Sequence, residues 1–134
     1  VSEFLAWVKQ WFGVDLSGYS LIRSGKKRIR ILTKEAAEFD VKDVIRGVYL
    51  AKKAPYGYII SVEGSYIIGR GASRHVVELG EEEFGRWMRG EDIAVELPEK
   101  GVYLVKFGRA FAGSGYYNGE VLHNLVPKSR TVEP

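Results

Sequence analysis

The chain has 134 residues, 46% of them hydrophobic and 28% charged: enough for one folded domain, or a small barrel with an extension, and too few for two large cores. It contains no cysteine, which excludes disulfide partners, thiolate metal sites and a cysteine nucleophile. The net charge is +3, but residues 1–60 hold 11 Lys and Arg against 6 Asp and Glu, residues 61–100 hold 5 against 9, and residues 101–134 hold 4 against 2; basic ends around an acidic middle suit a molecule that turns one face to a polyanion.

Phe4, Leu5, Trp7, Val8, Trp11 and Phe12 recur at helical spacing, with Ser2 as the expected cap and Gly13 as the stop. This aromatic face either buries against the following sheet or docks a partner. Tyr19 to Arg23 and Arg28 to Leu32 read as a hairpin around Ser24-Gly25-Lys26, with Lys26, Lys27, Arg28 and Arg30 crowding its tip and one face. Thr33 is placed to cap a turn through Lys34 to Glu38, Asp40 to cap another, and Phe39 to Ile45 leads onward. Gly47 to Lys53 is the next strand, broken by Ala54-Pro55-Tyr56-Gly57. Tyr58 to Val62 and Tyr66 to Gly69 then read as a second hairpin around Glu63-Gly64-Ser65.

After a basic loop from Gly69 to His75, Val76 to Leu79 is a strand, and Gly80 opens a helix with three glutamates in its first turn, where negative charge suits the macrodipole. Phe84, Trp87 and Met88 form the buried face of that helix. Ile93 to Leu97 and Val102 to Phe107 are strands, and Asn118-Gly119 joins Phe111 to Tyr117 with Glu120 to Asn124 as a hairpin that Pro127 ends. The inventory predicts an α+β chain, mainly β: a small barrel or open roll behind an α/β cap.

No catalytic arrangement emerges. Gly64 to Gly71 lacks the Lys and Ser or Thr of a phosphate loop, and Gly113-Ser114-Gly115 lies in a strand, smooth enough for another backbone or a nucleic-acid backbone to approach. His75 and His123 stand on separate elements without ligand spacing, and read as a loop and a strand-face histidine. No metal or cofactor is expected. No apolar run approaches the roughly 20 residues that span a bilayer, so a cytoplasmic, non-enzymatic protein is expected. One Met, one Gln and two Asn beside abundant Glu, Lys and Arg resemble heat-adapted composition.

The succession Lys100-Gly101, apolar strand, Phe107-Gly108, Gly-rich strand, Asn118-Gly119, Asn124, Pro127-Lys128 and Arg130 resembles the end of the PUA-like RNA-binding domain of the nucleolar-protein/Sun family of RNA cytosine-C5 methyltransferases. Val76 to Leu79, Glu81 to Glu83, Trp87, Met88 and Arg89 to Ile93 resemble its strand, acidic helix and Arg-Gly-Glu turn, and Arg46 to Leu50 its first strand. The resemblance implies a PUA-like β-barrel over residues 46–130, an α/β extension over 1–45 and a tail over 131–134. It also implies a non-catalytic module that positions rRNA or tRNA for cytosine-C5 methylation by a separate methyltransferase domain or subunit. The methyl-transferring half of those proteins is not in this sequence, and a start at Val1 rather than Met suits a trimmed chain or an excised domain. The alternatives are a ribosome-biogenesis factor with a PUA domain, or a protein-interaction module docking through its aromatic helix.

A groove for structured RNA in such a domain combines cations for phosphates with aromatic rings for bases. The expected set is Lys52, Lys53, Arg70, Arg74, Lys106, Arg109, Lys128 and Arg130, with Tyr116 or Tyr117 to stack; Lys128 and Arg130 match the family's closing Pro-Lys and Arg.

Overall fold

A computed structural model describes residues 1–32 and 47–131. The expected caps at Thr33 and Asp40, the Lys34 to Glu38 turn, the Phe39 to Ile45 segment and the last three residues lie outside the described residues.

The fold is α+β and mostly strands. Helix α1, Ser2–Phe12, runs into Gly13, whose left-handed backbone lets its amide bond back to the Lys9 carbonyl. Ser2 is the first helical residue rather than the cap; Val1 takes that place and no side chain caps the helix. Strands β1 (Ser20–Ser24), β2 (Arg28–Leu32), β3 (Val48–Ala54) and β4 (Gly57–Ile60) form one antiparallel sheet in that order. Since β2 pairs with β3, the N-terminal hairpin and the strand assigned to the start of the barrel share a single ladder.

Helix α2, Val62–Gly69, stands where a strand was expected. Its two glycines disfavour a helix and its aromatic and β-branched residues favour extended chain, yet tertiary packing overrides that preference. Ser61 caps it, accepting from the Gly64 amide at 2.9 Å and donating to the Tyr49 carbonyl at 2.6 Å. A side chain on Gly64 would meet the Leu50 carbonyl, and one on Gly69 would run into the Phe111 ring, so the glycines are where the helix touches its neighbours.

The second sheet has the order β5-β7-β8-β9-β6, from β5 (Val76–Glu78), β6 (Ile93–Ala94), β7 (Gly101–Phe107), β8 (Ala110–Tyr117) and β9 (Val121–Asn124). β5 runs parallel to β7 and the other pairs are antiparallel. Helix α3, Glu81–Met88, and a 3-10 turn, Lys128–Arg130, complete the described chain. β6 is shorter than the expected Ile93 to Leu97, with Val95 adding one backbone bond to Glu120 beyond it.

Because side chains alternate along a strand, β7 serves two cores. Val102 and Leu104 join α1 and the first sheet, while Tyr103 and Val105 join Trp87 of α3, Ile93 and Leu122. The aromatic face of α1 belongs to the first core: Phe4, Val8 and Phe12 are fully buried and Trp7 packs on Tyr58. Trp11 donates its indole N–H to the Val102 carbonyl at 2.6 Å. These rings are committed to packing, which disfavours the docking-helix reading. Gly113 and Gly115 likewise serve the interior, leaving room for Val126 and for Trp87.

Candidate nucleic-acid interface

α2 lies against β8, held by the Ser65 hydroxyl, which accepts from the Gly113 amide at 3.0 Å. Its outer stripe is Glu63, Tyr66 and Arg70, three and four residues apart, and all three are exposed. Tyr66 meets Phe111 edge-on, ring centroids 5.6 Å apart. Lys106, cross-strand partner of Phe111, holds its ammonium 5.9 Å from the centre of that ring and 3.8 Å from Glu78.

At the other end of α2, Arg130 forms a two-pronged ion pair with Glu63, at 2.9 and 3.1 Å. The Arg130 guanidinium holds the Glu63 carboxyl below the usual carboxylate range. Between α2 and α3 runs a furrow of about 100 Å³, floored by Val62, Trp87, Ala112 and Val126 with Phe111 and Arg130 on its rim. Aromatic rings beside cations can stack a base and hold its phosphate.

The residues expected to share one groove divide into groups. Lys106 touches the Phe111 ring, Arg130 pairs with Glu63 and Arg70 caps the end of α2, with Arg109 in the β7–β8 turn and Lys128 in the same 3-10 turn as Arg130. Lys52 and Lys53, adjacent on β3, point to opposite sides of the first sheet: Lys53 binds Glu3 of α1 at 2.8 Å, whereas Lys52 lies opposite Arg28. Arg74 donates to the Lys9 and Gln10 carbonyls, fastening the end of α1. Tyr116 meets the Tyr56 ring at a tilt, with centroids 4.5 Å apart, in contact with the β3–β4 turn. Tyr117 is 3% exposed and its hydroxyl donates to the Gly119 carbonyl, so its ring is unavailable to a base.

Tyr66 and Phe111 were missed because Tyr66 was read into a strand. Had Ser61 been recognised as a cap, the helical spacing of Glu63, Tyr66 and Arg70 would have exposed the stripe.

Both histidines acquire carboxylate partners that their sequence spacing did not reveal. His75, at positive φ, stacks on Trp11 with centroids 3.7 Å apart, directs Nδ1 at the Trp11 carbonyl and places Nε2 2.8 Å from Glu99. It sits in the loop before β5, as expected, and clamps that loop to the end of α1. His123 accepts at Nε2 from the Asn118 amide, which leaves its Nδ1 to donate to Asp92 at 3.2 Å. Each ring has both nitrogens engaged. Among the described residues no group of three His, Asp or Glu could hold a metal ion, and no helix is long and apolar enough to cross a membrane.

The second sheet is thus flanked by a short capped helix, α2, and an acidic-start helix, α3, with a furrow bearing rings and a cation between them. The family comparison is specific: residues 74–132, a little under half of the chain, match the family described as the methyltransferase RsmF PUA domain. That segment is similar to a PUA domain of this methyltransferase-associated kind. No curated protein matches the chain.

Proposed function

We propose that the chain is a non-catalytic module that positions rRNA or tRNA for base modification, with cytosine-C5 methylation performed by a separate domain or subunit. The PUA match supports RNA as the partner. The observation that carries the site is the Tyr66–Phe111 pair with Lys106 over the Phe111 ring, beside Arg70 and Arg130. Rings take an unstacked base and cations take the flanking phosphates, so binding favours single-stranded loops within structured RNA. Fluorescence anisotropy with a labelled stem-loop RNA tests it: affinity should fall as salt rises, and Arg70→Ala with Lys106→Ala should weaken it. Salt-independent affinity, or indifference to both substitutions, would refute the reading. The same titration with rRNA fragments and tRNA identifies which is preferred.

A further inference from the structure

A concentration of positive charge among the described residues lies outside the residues matched to the PUA family. Arg23, Lys26, Lys27 and Lys53 surround an open cleft of about 220 Å³ beside Tyr58, and the one carboxylate among its lining residues is Glu3. The cleft is built rather than incidental. Arg23 donates to the Lys26 carbonyl at 2.9 Å, shaping the β1–β2 turn, and the Lys53 amide donates to the Lys27 carbonyl at 2.8 Å, tying that turn to β3. Glu3 is already paired with Lys53. Lys26 and Lys27 are exposed and form no side-chain ion pair among the described residues. On the opposite side of the same hairpin Arg28 stands directly across from Lys52, so both faces carry like charge. Such a concentration of cations attracts a polyanion.

We infer that this cleft is a second RNA contact, taking phosphates of the backbone whose unpaired bases occupy the α2 face. The inference rests on the RNA-binding reading above. Lysines on a projecting turn act as point charges for phosphate and carry no base preference, so the contact adds affinity and salt sensitivity without sequence discrimination.

The test uses the full chain, a labelled stem-loop RNA and anisotropy titrations between about 50 and 200 mM salt. Lys26→Ala with Lys27→Ala should lower affinity about 10-fold at the lower salt and flatten the salt dependence by about one to two phosphate equivalents. Both positions are exposed turn residues, and an unchanged urea midpoint verifies that the fold is retained. If the hairpin variant binds RNA like the parent at every salt while Arg70→Ala with Lys106→Ala still weakens binding, the second contact is refuted and the α2 site stands. If the parent shows no salt-dependent affinity for RNA, the RNA reading falls and this inference with it. Displacement by polyglutamate that depends on Lys26 and Lys27, with RNA affinity unaffected by them, would overturn it in favour of an acidic protein partner.

Discussion

The Ser114 side chain makes both of its hydrogen bonds to the backbone of Ile60, accepting from the amide at 3.0 Å and donating to the carbonyl at 2.9 Å. Ser114 is wholly buried on β8 and Ile60 ends β4, so one hydroxyl joins the two sheets where no ladder does. Ser114→Ala would leave two interior backbone groups unpaired, costing about 2–3 kcal/mol in urea unfolding. A cost near zero would mean the sheets are held together by apolar packing alone.

Gly64→Ala provides a second test of how the sheets and α2 meet. Alanine normally favours a helix over glycine by about 1 kcal/mol. At this position the added methyl would press on the Leu50 carbonyl, 2.5 Å from where it would lie, so a net loss of about 1–3 kcal/mol is expected. A rise in the thermal midpoint would show that α2 can lift off β3 freely.

Tyr66 separates recognition from stability. It is 37% exposed and touches Phe111 only at its edge, so Tyr66→Ala should leave the urea midpoint nearly unchanged. RNA affinity should fall by about 1–3 kcal/mol, the range for losing one stacked base. Unchanged RNA affinity would remove Tyr66 from the site.

The Glu63–Arg130 pair makes a pH prediction. Glu63 titrates below its ordinary range in the folded chain, chiefly because Arg130 hydrogen-bonds to it. Its contribution is therefore complete above the unfolded carboxylate value and is lost as pH falls through the lower, folded value. Both side chains are close to half exposed, so the contribution is below about 1 kcal/mol. Glu63→Gln should flatten the acid limb of the stability profile, measured by urea midpoint, and release Arg130 to tighten RNA binding. An identical acid limb together with weaker binding would count against this account.

Trp11 distinguishes a core helix from a docking helix. Trp11→Phe should cost about 1 kcal/mol, because the buried Val102 residue loses the donor to its carbonyl. Trp7→Ala should cost about 2–4 kcal/mol through lost packing against Tyr58 and Phe12. If neither changes chemical stability, the helix face serves a partner instead.

The sequence by itself determined most of the second sheet and the acidic-start helix. Val102 to Phe107 is apolar at every buried step, Asn118-Gly119 supplies a hairpin turn, and three glutamates at a helix start follow from local physics that distant residues do not alter. It also identified Lys106 and Arg130 as candidate cations. Tertiary structure alone decided that residues 62–69 are helical, since the two glycines act through their closeness to Leu50 and Phe111, residues far away in the chain. The same holds for which cations meet. Lys52 and Lys53 are neighbours in sequence but face opposite sides of a strand, while Arg130 reaches Glu63 across 67 positions. A pairing of that kind depends on how sheets and helices pack, which no local pattern encodes.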